Sequence, residues 1–486
     1  MKRFTYELKR MTWLMLLLVC VQGTTVAQNI GDTFTADKLK YCVLNKQEVE
    51  VCGHVDDRWD ATGEVIIPET VEAAEWNRNY TVTTIGNYAF YGRSGLTEIN
   101  IPNSVTTIES EAFRDCSGLR AINIPNSVTT IGKGAFACCS GLTAINIPNS
   151  VTTIGSTAFY GCSRLTTINI PNSVTTIESH AFHGCSGLTA INIPNSVTTI
   201  GEGAFYGCSG LTALTVNADN AHFSSSEGVL LDKSQQKLIQ CPAGKKGEYK
   251  IPNSVTKIGE YAFGGCSGLT DINIPNSVTT IGEYAFGDCS GLTAINIPNS
   301  VTTIGNRAFS FCGRLTSINI GNSVTSIGNE AFYYCRELTS INIPNSVTTI
   351  GNAAFYYCSG LTSINIPNSV TTIGNEAFYN CSGLETLYFH SINPPTTTRD
   401  CFEGCYNIQT IYVPQEAVAT YQATEPYNEY NIQGMDETTG IGEVETTEMP
   451  QSDNIYDLNG RLVRTDGNLQ ALPKGIYILN GKKVVR

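Results

Sequence analysis

Cysteine is the residue type in this 486-residue sequence that combines reactive chemistry with regular spacing. Twelve of its eighteen cysteines occupy one position of a repeat: Cys116, Cys139, Cys162, Cys185, Cys208, Cys266, Cys289, Cys312, Cys335, Cys358, Cys381 and Cys405. Thiols can form disulfides or bind a tetrahedral metal ion, but no C-x-x-C is present and equivalent positions place the sulfurs on parallel side chains. Cysteine also packs as a small buried hydrophobe. The column therefore predicts a ladder of core residues and no metal site.

A disulfide is expected at one other place. Removal of residues 1–27 leaves seventeen cysteines, an odd number, so at least one stays unpaired within a monomer. The segment "KYCVLNKQEVEVCG" (40–53) is typical of a β-hairpin, and Cys42 and Cys52 lie on its two strands. We expect these two residues to be bonded to each other.

Other residues with catalytic or metal-binding chemistry give weaker signals. His180 and His183, close to Cys185, have an i, i+3 spacing that could present two metal ligands. Both occupy positions that vary freely between repeats, which favours a solvent-exposed coincidence. The sequence contains no nucleophile–base arrangement, no pair of acids set apart from the repeat and no Gly-rich phosphate loop. A binding protein without a cofactor is expected, not an enzyme.

Aromatic and amide side chains are the candidates for ligand contact. The candidate tyrosines directly follow the repeated Phe or come one residue later, and seven are singled out: Tyr160, Tyr206, Tyr333, Tyr334, Tyr356, Tyr357 and Tyr379. Exposed tyrosine offers large contact area at low entropic cost. Asn123, Asn146 and Asn169 recur on the opposite, strand-forming part of the unit. The tyrosines either form a recognition surface or only cover the ends of predicted helices, and the sequence leaves both interpretations open.

These residues belong to a repeat, which must position them. The Ala-Phe pair recurs every 23 residues, with one interruption, at Phe90, Phe113, Phe136, Phe159, Phe182, Phe205, Phe263, Phe286, Phe309, Phe332, Phe355 and Phe378, and Phe402 closes the series. A fixed period between 20 and 30 residues is the signature of a solenoid, in which each unit forms one coil. The series has thirteen units, and stacking is needed because one unit alone buries too little apolar surface to offset its ordering entropy.

Each unit combines two periodicities. One set of apolar residues falls at i, i+4, i+5 and i+8, the spacing of a helix face: Ile108, Ala112, Phe113 and Cys116. In "INIPNSV", Ile122 and Ile124 alternate with Asn123 as in a strand with one buried face. Pro125 ends the strand, and a turn follows. The unit therefore predicts an α/β solenoid with the order strand, turn, short helix.

The N-terminus has the features of a secretory signal peptide over residues 1–27. Lys2, Arg3, Lys9 and Arg10 precede the apolar "MTWLMLLLVCV", and small residues surround a cleavage point after Ala27. Lipidation at Cys20 is the alternative, although Val19 is larger than such signals prefer. Cleavage would change the formal charge from −13 to −16, which disfavours nucleic acid as a partner. No later segment is apolar enough to span a bilayer.

The string "LTAINIPNSVTTIGSTAFYGC" (142–162) resembles the BspA-type leucine-rich repeat family closely. The resemblance implies a parallel sheet on the concave side of the solenoid and short helices on the convex side. It also implies a bacterial surface protein that adheres to host matrix proteins or other cells. The predicted organisation is an N-terminal cap hairpin (28–64), then a solenoid with its C-terminal cap (65–434). A hairpin insertion at about 217–250 is expected to project from the stack.

The C-terminus has a second resemblance. After an acidic linker (435–453), residues 454–486 resemble the short sorting domain of type IX secretion, on the basis of Pro473, Gly475, Tyr477, Lys482 and Lys483. This resemblance implies passage across an outer membrane and contact with secretion and surface-attachment machinery.

The predicted function is that of an exported adhesin on the outer cell surface or outside the cell. Near-identical units suggest many weak contacts with extracellular matrix or other cell-surface proteins, whose sum gives the affinity. Two alternatives remain open at this point: a glycan-binding module that uses the convex tyrosines, and a passive surface spacer.

Overall fold

Successive 23-residue units form successive coils that meet in register one unit apart. Asn123 is paired with Asn146, and Asn146 with Asn169, in a parallel ladder. The computed structural model describes residues 29–54 and 63–435, and the strand segments 455–456, 462–464, 476–479 and 482–485. The chain divides into two compact units between Gly434 and Met435. The predicted signal peptide (1–27) lies outside the described residues.

Each coil forms backbone hydrogen bonds with the next coil on three sides. The long-strand face consists of strands equivalent to Ala121–Asn123, and the short-strand face of two-residue strands equivalent to Thr130–Ile131. The turn side comprises the residues equivalent to 109–118, which contain the Ala-Phe pair. The short-strand face cannot be recognised from the sequence, because a single Thr-Ile pair per unit is too short to show strand periodicity.

The predicted short helix on the turn side is wrong. There the Phe113 N–H donates to the Ala135 carbonyl oxygen of the next coil at 2.8 Å, and not to a residue one helical turn back. Glu111 and Asp115 have left-handed φ values of 57° and 61°, which interrupt any helical run. Apolar residues at i, i+4 and i+5 face inward here because the chain bends twice, so the spacing mimics a helix.

The N-terminal cap begins the stack. Its strands are β1 (Thr33–Ala36), β2 (Leu39–Val43), β3 (Glu48–His54), β4 (Gly63–Ile66), β5 (Thr70–Ala73) and β6 (Arg78–Ile85), with a 3-10 turn at Ala74–Trp76. Strands β1, β2 and β3 are antiparallel, and β3 then pairs in parallel with β6 to start the short-strand face. Cys42 and Cys52 form a disulfide in the β2–β3 hairpin, with their Cα atoms 5.8 Å apart.

The first run of coils alternates long and short strands. Its strands are β7 (Leu96–Asn100), β8 (Thr107–Ile108), β9 (Ala121–Asn123), β10 (Thr130–Ile131), β11 (Ala144–Asn146), β12 (Thr153–Ile154), β13 (Thr167–Asn169), β14 (Thr176–Ile177), β15 (Ala190–Ile193), β16 (Thr199–Ile200) and β17 (Ala213–Val216). The odd-numbered strands lie on the long-strand face and the even-numbered strands on the short-strand face.

The insertion is part of the stack and does not project from it, so the predicted projecting hairpin is wrong. It contains β18 (Phe223–Ser226), β19 (Val229–Asp232), β20 (Lys237–Gln240) and β21 (Gly247–Lys250). Strand β20 is antiparallel to β19 and pairs in parallel with the next short strand. Leu230, Leu231 and Leu238 are fully buried, and this burial holds the insertion inside. The apolar core is divided here into two clusters.

The second run of coils repeats the pattern of the first. Its strands are β22 (Lys257–Ile258), β23 (Leu269–Asn273), β24 (Thr280–Ile281), β25 (Ala294–Asn296), β26 (Thr303–Ile304), β27 (Ser317–Asn319), β28 (Ser326–Ile327), β29 (Ser340–Asn342), β30 (Thr349–Ile350), β31 (Ser363–Ile366), β32 (Thr372–Ile373) and β33 (Thr386–Phe389).

Buried tyrosines close the solenoid at its C-terminal end. The elements are β34 (Thr410–Pro414), helix α1 (Val418–Gln422) and β35 (Ile432–Met435), with 3-10 turns at Arg399–Phe402, Gln415–Ala417 and Tyr427–Glu429. The ring of Tyr427 packs 5.3 Å from that of Phe389, and its hydroxyl donates to the Pro395 carbonyl oxygen at 2.8 Å. The last core layer is thereby covered.

The second compact unit contains a four-stranded antiparallel sheet. Its strands are β36 (Ile455–Tyr456), β37 (Leu462–Arg464), β38 (Ile476–Leu479) and β39 (Lys482–Val485), in the order β37-β36-β38-β39. Across the described parts of both units, helices are too short or too polar to cross a bilayer.

The cysteine column lies in the core, as predicted, and its thiols form hydrogen bonds. The Cys116 thiol donates to the Phe90 carbonyl oxygen of the preceding coil (Sγ to O, 3.0 Å), and Cys335 does the same to Phe309 at 3.2 Å. Burial raises the pKa of Cys335 to about 12, so the thiol keeps the proton that it donates. The column thus fills space beside the stacked Phe rings and satisfies a buried carbonyl group.

Truncation of a column cysteine should destabilise the solenoid. We expect Cys335→Ala to lower the free energy of unfolding by about 1–3 kcal/mol, because it leaves a cavity and removes a donor from a buried carbonyl. Guanidinium denaturation followed by circular dichroism measures the change. The control is Cys138→Ala at a half-buried site outside the column, where we expect a change within about 0.5 kcal/mol. Equal effects at the two sites would contradict the proposed role of the column.

Candidate binding surfaces

Six aromatic side chains form a continuous patch on the turn side of four consecutive coils. We call this patch the aromatic belt: Phe311, Tyr333, Tyr334, Tyr356, Tyr357 and Tyr379. It has two columns: Tyr333, Tyr356 and Tyr379 directly follow the core Phe of their coils, and Phe311, Tyr334 and Tyr357 come one residue later. Phe311 is 41% exposed, and the five tyrosines are half-buried. The structure therefore brings together five of the seven predicted tyrosines.

Within the belt, rings stack along the direction of the coils. The ring centroids of Tyr333 and Tyr356 are 4.9 Å apart with an interplanar angle of 15°, and those of Tyr356 and Tyr379 are 4.8 Å apart at 7°. In the second column, Tyr334 and Tyr357 are 4.7 Å apart at 19°. Each inner ring consequently has its faces covered by its neighbours. The belt therefore presents the edges of its rings to a partner.

The residues of the second column have an unfavourable backbone conformation. Phe311, Tyr334 and Tyr357 have φ values of 61°, 60° and 57°, in the left-handed region. Six other coils have glycine at this position: Gly92, Gly161, Gly184, Gly207, Gly265 and Gly404. A bulky residue in this conformation costs roughly 1–2 kcal/mol relative to glycine. These rings lie outside the core, so core packing does not require the strain, which points to a function for the rings.

Charged side chains lie at the margins of the belt and contact its rings or each other. The guanidinium carbon of Arg336 lies 4.9 Å from the centroid of the Tyr334 ring, in a cation–π contact. Arg307 makes a two-bond ion pair with Glu330, at 2.8 and 2.9 Å. Desolvation raises the pKa of Tyr356 to about 12, so its hydroxyl remains neutral at physiological pH. The belt is accordingly a rigid, neutral aromatic surface with charged margins.

The other two predicted tyrosines, Tyr160 and Tyr206, lie in a separate cluster beside the insertion. The ring of His183 is 4.6 Å from each of them. The hydroxyls of Tyr206 and Tyr284 both donate to Asp288, the second at 2.8 Å. Because Tyr206 precedes the insertion and Asp288 follows it, this cluster ties together the two parts of the core.

His180 and His183 belong to this tyrosine cluster, and their surroundings are those of packed aromatic rings. Their ring centroids are 5.5 Å apart, and Tyr261 packs 5.3 Å from His180. Throughout the described part of the chain, no three His, Cys, Asp or Glu side chains are grouped so that they could hold a metal ion.

The asparagine residues form a second repeated surface. Asn123, Asn146 and Asn169 are exposed on the long-strand face, one per coil. Further along this face, Asn319 Nδ2 donates to Asn296 Oδ1 at 2.6 Å, which shows how such a ladder bonds to itself. It offers a partner an uncharged row of amides.

Two residues of the long-strand face were missed by the sequence analysis. Tyr388 and Tyr412 continue the asparagine column, since Asn365 pairs with Tyr388 and Tyr388 with Tyr412. Their rings stack with centroids 5.2 Å apart. Alignment of the last two units on their Leu and Ile residues would have placed both tyrosines in that column.

The residues of the predicted sorting signal lie partly in described strands. Tyr477 is in β38, and Lys482 and Lys483 are in β39. Pro473 and Gly475 lie outside the described residues, as does the predicted linker from residue 436 to 453.

Comparison with known proteins gives consistent results for the solenoid. The family model described as "BspA type Leucine rich repeat region (6 copies)" matches residues 80–224, 245–362 and 325–439. A leucine-rich cell surface protein from Faecalibacterium prausnitzii is 29% identical, with a TM-score of 0.56, over 75% of this chain and 96% of that one. A search of curated proteins found no match.

Two further solved structures share the fold. The pneumococcal vaccine antigen PcpA has a TM-score of 0.58 at 21% identity, with 84% of this chain and all of that chain covered. A leucine-rich repeat protein from Eubacterium ventriosum has a TM-score of 0.54 at 24% identity, with 77% and 95% covered.

Protonation of His183 should weaken the cluster beside the insertion. Burial, and then the neighbouring His180, lower the pKa of His183 to about 4, although Asp288 opposes the shift. An unfolded histidine has a pKa of about 6.5, so the unfolded chain binds the proton more tightly. Stability should therefore fall between about pH 6.5 and pH 4, by about 1–2 kcal/mol for this half-buried ring.

The measurement is the unfolding free energy from pH 8 to pH 4 for the natural chain and for His183→Gln. The difference between the two curves isolates the histidine from the carboxylates that also titrate. We expect the variant to lose less stability over this interval, and parallel curves would contradict the assignment.

Proposed function

Because this chain belongs to the BspA-type leucine-rich repeat family, we propose that it is an adhesin that binds extracellular proteins at the cell surface. The location is supported by the 29%-identical solved structure, which is described as a cell surface protein. The adhesive role is supported by the aromatic belt and by the repeated amide ladder. We propose binding without chemical conversion of the partner, and without a cofactor.

The aromatic belt carries this proposal. Three bulky aromatic residues occupy left-handed positions where six coils have glycine, so the chain retains them at a cost in stability. A passive spacer would gain nothing from that cost. Proteins are the partner best suited to the belt, because stacked tyrosines present rigid edges and hydroxyls that require little ordering on binding.

The belt geometry disfavours its use as a glycan platform. A sugar ring stacks on the open face of an aromatic ring, whereas Tyr356 is covered on both faces by Tyr333 and Tyr379. Only the terminal rings of each column have a face that a sugar could reach. The glycan alternative for these tyrosines is therefore the weaker of the two.

Repetition supports a multivalent mode of binding. The long-strand face repeats Asn and small residues at one per coil, so a partner with a repeated surface could engage several coils at once. Linked weak contacts raise overall affinity through effective concentration. We propose that the belt supplies the anchoring contact and the amide ladder adds weak contacts, with extracellular matrix or other cell-surface proteins as partners.

Export is part of the same proposal. The predicted signal peptide (1–27) and the predicted sorting domain (454–486) would bring the chain into contact with secretion and surface-attachment machinery. The four-stranded antiparallel sheet of the second compact unit has the small size that a sorting domain requires.

Replacement of the two tyrosines of the second column should weaken binding without unfolding the chain. We expect Tyr334→Asn combined with Tyr357→Asn to weaken binding to immobilised collagen, laminin or fibronectin at least about tenfold. Asparagine tolerates the left-handed conformation and already occupies this column at Asn380. The melting temperature should therefore stay within about 3 °C, because relief of strain offsets the lost stacking.

The matched control is Tyr88→Asn. Tyr88 is also left-handed, with φ 59°, and is 56% exposed, but it lies in the first coil far from the belt. Undiminished binding by the belt variant, or an equal loss in the control, would refute the belt as the contact surface.

Deletion of residues 455–486 tests the export proposal separately. We expect the truncated chain to accumulate in the periplasm and to disappear from the cell surface, as judged by protease accessibility on intact cells. The solenoid should still fold, since the deletion lies outside the first compact unit. Normal surface display of the truncated chain would exclude a sorting role.

A further inference from the structure

An open cleft lies at the C-terminal end of the solenoid, on the turn side of the coil that follows the aromatic belt. Its volume is about 450 Å³, within the range of small-ligand sites. Its floor includes Phe402 and Ile408, and Tyr406 and Tyr430 line its sides. The rings of Tyr430 and Phe402 meet edge to face, with centroids 5.8 Å apart, which holds that side in place.

Tyr406 is the most unusual residue of the cleft. Its side chain is 90% exposed, more than that of any other large hydrophobic residue in the described part of the chain. Ten of the twelve other coils have serine at the equivalent position, four residues after the core Phe: Ser94, Ser117, Ser140, Ser163, Ser186, Ser209, Ser267, Ser290, Ser359 and Ser382. Core packing therefore does not account for the ring. In contrast to the belt, its faces are open.

Hydrogen-bonding groups surround this open ring. Asp400 and Glu403 are exposed and line the cleft. Arg399 forms an ion pair with Glu429 across it, with Nη2 and Oε1 3.2 Å apart. A carboxylate can accept two parallel hydrogen bonds, and a guanidinium can donate two. The cleft can therefore bind neighbouring hydroxyl groups both as hydrogen-bond donors and as acceptors.

We propose that this cleft binds a neutral pyranose sugar, one face of which stacks on Tyr406. Carboxylates of Asp400 and Glu403 accept hydrogen bonds from its hydroxyls, and the Arg399 guanidinium donates to its oxygens. An aromatic platform with a few convergent polar groups, in a solvent-open cleft, suits the end or branch of an oligosaccharide. This binding is independent of the proposed protein-binding role of the belt.

The mature full-length chain should be tested on an array of neutral hexose and N-acetylhexosamine oligosaccharides, followed by calorimetry. Variants are Tyr406→Ser, which installs the residue of the other coils, and Glu403→Gln. Tyr88→Ala serves as a matched control at an exposed tyrosine elsewhere, and thermal melting monitors folding. Tetralysine is the competing probe, because the cleft contains three carboxylates and one guanidinium.

We expect at least one oligosaccharide to bind and Tyr406→Ser and Glu403→Gln each to weaken it about tenfold or more, with Tyr88→Ala unchanged. Binding should vary less than about twofold between 50 and 500 mM salt, since no ion pair with the ligand is involved. The proposal would be overturned by the absence of oligosaccharide binding, by binding that survives Tyr406→Ser, or by salt-sensitive preference for tetralysine. Loss of protein binding in the belt variant leaves this result unaffected.

Discussion

The register between neighbouring coils is the constraint on which the rest of the structure depends. Each coil donates and accepts backbone hydrogen bonds on three surfaces, and these bonds are formed only if equivalent residues lie opposite each other. No single 23-residue unit could satisfy its own backbone, so a coil is stable only beside another. Identical side chains are then forced into columns, and stacked Phe rings, cysteine thiols and asparagine amides all result from that alignment.

Much of this architecture could be predicted from the sequence because the period is exact. The 23-residue spacing alone indicates a solenoid, the alternation around Asn123 indicates a strand in each unit, and the family resemblance implies that these strands are parallel. The turn side could not be predicted in the same way. Ala112, Phe113 and Cys116 face inward at helical spacing, but Glu111 and Asp115 have left-handed φ values, and the N–H groups of Glu111, Phe113 and Asp115 donate to the next coil. Sequence periodicity reports which side chains are buried and does not report how the backbone between them is bonded.

The candidate site, too, could be predicted from the sequence only in part. Its tyrosines were identified because they recur just after the repeated Phe, and the structure places five of them in one patch. Their stacking could not be foreseen, since it depends on the approach of one coil to the next. Nor could the open ring of Tyr406, which is distinguished only by comparison with the serine that other coils have. In a repeat protein, functional positions are therefore sought in columns where one coil departs from the others at an energetic cost.

The division of the core at the insertion has a mechanical consequence. The insertion separates two apolar clusters, and Asp288 bridges them by accepting hydrogen bonds from Tyr206 and Tyr284. A chain anchored at one end and held by a partner at the other would carry tension along its stack under fluid shear. Rupture would begin at this seam, where the ladders of both strand faces are interrupted and few backbone bonds cross, such as Leu214 N–H to Gly228 O. Each half of the solenoid could then unfold in turn and dissipate mechanical energy before the contact with the partner is broken.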